Sequence, residues 1–124
     1  VTVENRSIDA THIIIATGSY PNPLEFDIPE DRLMELEHMY NEKDLPDSVA
    51  VVGQGPVAVE MAQFFQMIDK KVTLVTPSKT LIPFADQFLN DYIYNRLKKD
   101  KVKMFFGDDI QGYENGSSRC RVKK

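Results

Sequence analysis

The chain has 124 residues, 42% of them apolar and 27% charged, and carries a net charge of -4. That suffices for one soluble domain with a modest core, and the acidic balance argues against nucleic acid as a partner. No apolar run reaches the roughly 20 residues of a membrane span, no signal or transit segment is visible, and one cysteine with two histidines offers neither an intrachain disulfide nor a metal cluster, so a cytoplasmic protein is expected.

The alternation in Val1 to Val3 and Ser7 to Ala10, around Asn5-Arg6, predicts a hairpin. His12-Ile13-Ile14-Ile15 follows, short, apolar and β-branched, which reads as a buried strand. After Ala16-Thr17-Gly18-Ser19-Tyr20-Pro21 comes a loop rich in proline and polar residues to about Pro29. Leu33, Leu36 and Tyr40 share a face and predict a helix over roughly Asp31 to Asn41, broken by Asp44-Leu45-Pro46-Asp47. His12 and His38 have no partner at ligand or triad spacing.

The run from Ser48 to Glu60 carries the most information. Ser48-Val49-Ala50-Val51-Val52 is an apolar strand that turns through Gly53-Gln54-Gly55 into a helix opening with Pro56-Val57-Ala58-Val59-Glu60. In a nucleotide site, Gly53 permits the tight turn and Gly55 lets backbone N–H groups approach a diphosphate. Ala58 is small enough for close helix-strand packing, and Pro56 falls at the first helical position, where its missing N–H costs nothing. Gln54 and Val57 complete the cradle, and the positive end of the helix would face the phosphates. A Gly-x-Gly here can also be tight packing and nothing more. The context favours the nucleotide reading: Val57, Met61, Phe64, Phe65 and Ile68 form an apolar helical face, and the strand Val72-Thr73-Leu74-Val75 closes a β-α-β unit within about 30 residues.

The same fingerprint expects an acid at the end of the second strand, where it accepts from a ribose 2'-hydroxyl. Thr76 stands there. A hydroxyl can bond a ribose without repelling a 2'-phosphate, while Pro77 and Ser78 follow in place of arginines and Lys79 is the one cation. NAD is therefore the expected cofactor, with NADP left open.

A later helix is predicted from about Asp86, a capable N-cap, to Lys99, with Phe88, Leu89, Tyr92, Ile93 and Leu97 as its apolar stripe. Lys98, Lys99, Lys101 and Lys103 read as a solvated helix end that complements the dipole. Val102 to Phe106 is the third strand, Gly107 turns the chain, and Asn115-Gly116 signals a hairpin before a final strand. The fold class expected is α/β, a Rossmann-like three-layer domain with a parallel sheet and an antiparallel β-hairpin or meander. There is no initiator Met, and Arg121-Val122-Lys123-Lys124 is still strand-like, so an excised piece of something longer is expected.

In order, Ile13-Ile14-Ile15-Ala16-Thr17-Gly18-Ser19, Gly53 to Glu60, Val72 to Val75, and Leu81-Ile82-Pro83-Phe84-Ala85-Asp86 resemble the pyridine nucleotide-disulfide oxidoreductases nearly end to end. The likeness is to the branch of dihydrolipoamide dehydrogenase, soluble transhydrogenase and glutathione reductase, with the first favoured. The resemblance implies that residues 1–124 are a single nicotinamide dinucleotide-binding domain, residues 1–21 corresponding to the edge of the flavin domain. The full-length protein would be an FAD-containing homodimer that passes hydride between a nicotinamide, the flavin and a redox-active disulfide. By the same resemblance Gly53, Gln54, Gly55, Pro56, Val57 and Ala58 hold the pyrophosphate, and Thr76, Pro77 and Lys79 the adenosine ribose. Glu60 would stand near the nicotinamide and flavin, although an acid early in a helix also suits the dipole alone. Pro56 departs from the bulky residue that often gates the family's nicotinamide pocket.

The flavin-binding glycine motif, the paired cysteines and the His-Glu base of the family lie outside these residues, so the chain by itself is expected to hold no catalytic residue. One cysteine cannot cycle between dithiol and disulfide. Ile13 to Ala16 is expected to fill the vacant sheet position beside the Ser48 to Val52 strand. The competing classes are a stand-alone nucleotide-sensing module and, more distantly, a methyltransferase-like domain, which would leave Ala16-Thr17-Gly18 unexplained.

Overall fold

The computed structural model describes residues 1–20, 28–34, 36–39, 45–107, 110–113 and 120–122. At its centre three parallel strands, β3 (Ser48–Val52), β4 (Lys71–Thr76) and β5 (Lys103–Phe106), lie in the order β3-β4-β5. Val52 pairs with Val75 and Thr76 with Phe106, so the carboxyl ends of all three strands come out together. The helices α2 (Pro56–Met67) and α3 (Gln87–Lys99) make the crossovers. A parallel sheet with helical crossovers is the Rossmann-like α/β arrangement expected from the sequence.

β4 is the central strand, and Val72, Leu74, Val75 and Thr76 along it are all buried, as a strand covered on both faces requires. α2 presents Ala58, Val59, Ala62 and Phe65 to the sheet. This corrects the expected apolar face, because Val57, Phe64 and Ile68 are exposed. The physical reason is closeness: Ala62 is fully buried, and alanines at positions 58 and 62 let the helix axis approach the strands as bulkier side chains would not. α3 is corrected in the same way, turning Asn90, Ile93 and Leu97 inward and leaving Phe88, Leu89 and Tyr92 outside.

Asp86 caps α3, its carboxylate accepting the Leu89 N–H at 2.8 Å. Arg96, Lys98 and Lys99 occupy the last turn, where cations suit the dipole. Replacing Asp86 with Ala is expected to cost about 1 kcal/mol, measured by urea denaturation.

The amino-terminal hairpin forms as β1 (Thr2–Val3) and β2 (Arg6–Ser7), but its turn is Glu4-Asn5, one residue earlier than read. Both turn residues have positive φ, 48° and 64°, as a two-residue hairpin loop with the twist of the strands demands. A 3-10 turn (Glu30–Arg32) and a short helix α1 (Leu36–Met39) replace the expected helix, whose Tyr40 and Asn41 lie outside the described residues. β6 (Ile110–Tyr113) and β7 (Cys120–Val122) pair antiparallel around the expected Asn115-Gly116 turn, which itself lies outside the described residues.

The largest correction concerns Ile13 to Ala16. The segment is neither a strand nor paired with β3, and Ile13, Ile14 and Ile15 are 61%, 90% and 84% exposed. A β-branched run is only suited to a sheet, and its preference is realised by ladder partners and two covering faces. None of these occurs for it among the described residues. Among those residues, too, no helix is long and apolar enough to cross a membrane.

Candidate functional site

The glycine turn leaves β3 at the carboxyl edge of the sheet, where open α/β sheets bind ligands. Gly53 has φ 148° and Gly55 φ 87°, values that side-chain-bearing residues avoid. A Cβ on Gly53 would lie 3.7 Å from that of Ala58, so Ala58 is where α2 comes nearest the turn. The backbone donors of the two glycines are spent inside the protein: Gly53 donates to the Val75 carbonyl at 3.0 Å and Gly55 to the Leu81 carbonyl at 2.8 Å. The first helical bond runs from Val59 to the Gly55 carbonyl at 3.3 Å.

The donors that open α2 are therefore those of Val57 and Ala58, since Pro56 has none. No side chain caps this helix and no acid sits in its first turn, so neither offsets its positive end. Gln54, Pro56 and Val57 are exposed beside it, and Gly55 and Ala58 are buried beneath. Such an end is suited to an anion. Glu60 is exposed one turn further along, beyond the stretch where the dipole alone would favour an acid.

The second wall is the segment between β4 and α3. Thr76 is 1% exposed, and its Oγ1 accepts the Ser78 N–H at 3.3 Å. Ser78 in turn accepts the Thr80 N–H on its Oγ at 3.2 Å and the Gly107 N–H on its carbonyl at 3.0 Å. Thr76 thus shapes the loop from beneath, while Pro77 and Lys79 are exposed.

Two residues of this wall had no role in the sequence reading. Asn90 is 8% exposed: its Oδ1 accepts the Ile82 N–H at 2.9 Å, and its Nδ2 donates to the carbonyls of Ile82, Ala85 and Asp86 at 3.0, 3.3 and 3.1 Å. It ties the segment to α3, and through Leu81 to the glycine turn. Its spacing with Ile93 and Leu97 marks a polar residue on the inward stripe, a signal available in the sequence. Phe84, between buried Ile82 and half-buried Ala85, is exposed on the side of Gly55 that a Cβ would face: Cε1 lies 3.9 Å from where that Cβ would stand.

A cleft of about 500 Å³ opens at the opposite, amino ends of the strands, lined among others by Ser48, Lys71, Asp100 and Lys103. It shares no residue with the glycine turn and lies at the edge that parallel sheets do not use for ligands.

The family model described as pyridine nucleotide-disulphide oxidoreductase matches residues 1–124. Among curated proteins, a soluble pyridine nucleotide transhydrogenase of Mycobacterium bovis is 29% identical over 116 residues, covering 93% of this chain and 25% of the relative. A dihydrolipoyl dehydrogenase of Thermus scotoductus is 30% identical over 123 residues, covering 98% and 27%. The chain thus spans about a quarter of the length of the curated relatives it matches. Among solved structures, LpdA from Mycobacterium tuberculosis superposes with a TM-score of 0.70 at 20% identity over 82% of this chain and 22% of that one, a likeness of fold.

Proposed function

Because the chain belongs to the pyridine nucleotide-disulphide oxidoreductases, a family of flavoprotein oxidoreductases that bind FAD and a nicotinamide dinucleotide, we propose that it is the nicotinamide dinucleotide-binding domain of such an enzyme. The observation that carries this reading is the α2 amino terminus, uncapped, free of acid, and reached through two glycines at positive φ. Gly53, Gln54, Gly55, Pro56, Val57 and Ala58 form the pyrophosphate cradle, with the N–H groups of Val57 and Ala58 as donors. Pro77 and Lys79, on the loop that Thr76 anchors, meet the adenosine ribose, and Glu60 lies on the nicotinamide side. When bound, the dinucleotide supplies or accepts a hydride.

The chain has one cysteine and one glycine turn of this kind. Flavin and redox-active disulfide are therefore assigned to the remainder of the flavoprotein, with residues 1–21 at the border and the whole a homodimer. Dihydrolipoamide oxidation is the favoured activity of that protein, and transhydrogenation between nicotinamides is the alternative; relatives of each name match at nearly equal identity.

Calorimetric titration of the chain with NADH and with NADPH tests the reading. Saturable binding is expected, and the two affinities should differ by less than about tenfold, because the loop after β4 offers neither an acid against a 2'-phosphate nor an arginine for it. Binding of neither would overturn the proposal.

A further inference from the structure

Phe84 is 80% exposed on a loop that is otherwise fastened down. Its neighbours Leu81 and Ile82 are buried, Leu81 accepts the Gly55 N–H, and Asn90 holds the backbone at Ile82 and Ala85. A lone exposed phenyl ring is ordinary on a protein surface. This one is distinguished by the fastened backbone that carries it and by place, Cε1 lying 3.9 Å from where a Cβ on Gly55 would stand. The loop that carries it leaves the end of β4 and is the same segment that carries Pro77 and Lys79, the proposed adenosine wall. Pro56, the other residue at the rim, has a small saturated ring and no N–H.

We propose that Phe84 is a further binding residue of the site, an aromatic wall against which the adenine of the dinucleotide packs. The inference rests on the dinucleotide reading and deepens it. A purine has a π-face that packs on aromatic rings whatever its hydrogen bonding, and a phenyl ring on a fastened backbone has only its own side-chain rotamers to lose in receiving it.

The test is calorimetric titration of the whole chain with NADH and with ADP-ribose, the dinucleotide without its nicotinamide ring. Phe84→Ala is expected to weaken both ligands about tenfold, in line with the loss of one base-aromatic stack, and Phe84→Trp should restore affinity. Phe88→Ala removes a ring that is 82% exposed in the first turn of α3 and should leave both affinities unchanged. Because Phe84 is exposed, its truncation should leave the melting temperature within about 2 °C of the parent. Unchanged binding of ADP-ribose by Phe84→Ala would overturn the proposal while leaving the dinucleotide site intact. So would an equal loss in Phe88→Ala, or a failure of Phe84→Trp to restore binding. If the parent chain binds neither ligand, the dinucleotide reading itself fails, and the role of Phe84 with it.

Discussion

Gly55→Val abolishes saturable NADH binding by the chain and lowers its stability by about 1–3 kcal/mol, the range for a residue forced into a sparsely allowed backbone region. Both effects arise at one atom. Gly55 sits at φ 87°, where a β-branched residue is a steric outlier. The added Cβ would not collide with the protein, because its nearest neighbour, Phe84 Cε1, is 3.9 Å away. The stability loss therefore comes from the backbone, and the binding loss from the two methyl groups placed where a diphosphate must approach the Val57 and Ala58 donors. Gly18→Val separates the two causes. Gly18 has a similar φ of 78° with nothing within 4 Å of its Cβ position, and it lies in an exposed segment away from the sheet. It should leave NADH affinity unchanged. Titration and urea denaturation of both variants read the two effects independently. Gly55→Val binding NADH like the parent would remove the glycine turn from the site.

The strands and the crossover helices were legible because their signals are local: a β-branched run, a glycine turn, an apolar periodicity and an aspartate cap each act within a few residues. The faces were legible only in part. In α2 the sequence pointed correctly to Phe65, Met61 and the close-packing Ala58, but also to Val57, Phe64 and Ile68, which are exposed, and it gave no sign of Ala62. Small residues win the contact because close packing is decided by shape, to which a hydrophobicity pattern is blind. Ile13-Ile14-Ile15 shows the complementary limit. Its composition is that of a buried strand, and no local signal says which strand it pairs with, since ladder partners are distant in sequence. The glycine turn and the Thr76 loop were legible as a pair because a β-α-β unit fixes their spacing. Asn90 was missed because the stripe of α3 was drawn through apolar residues alone; its spacing with Ile93 and Leu97 marks it as inward-facing, but its four bonds to backbone atoms leave no trace in residue types. Phe84 belonged to a segment quoted for its resemblance, yet its contact with Gly55 depends on how Asn90 folds that segment back.

Asn90→Ala is expected to destabilise the chain by about 1–3 kcal/mol, since it leaves the buried Ile82 N–H without its partner and removes the side-chain donor of the Ala85 carbonyl, while the carbonyls of Ile82 and Asp86 keep the backbone N–H groups of Ala85 and Asn90. Asn90→Asp should be no better at neutral pH. Its carboxylate keeps the bond from the Ile82 N–H but has no donor for the carbonyls of Ile82, Ala85 and Asp86, and it sets a negative charge against three negative dipole ends in a buried place. Urea denaturation gives the stabilities, and hydrogen exchange of the Ile82 amide reports the clamp directly, with loss of protection expected in both variants. The consequence reaches the site through Leu81, whose carbonyl takes the Gly55 N–H. With the segment loosened, that donor and the Phe84 ring lose their fixed positions, so NADH should bind about tenfold more weakly to folded Asn90→Ala than to the parent. Asp86→Ala, which frees only the helix cap, should bind NADH as the parent does, because the Asn90 bonds to Ile82 remain. Equal binding by Asn90→Ala and the parent would mean that the bonds from Gly55 to Leu81 and from Gly107 to Ser78 suffice to hold the wall.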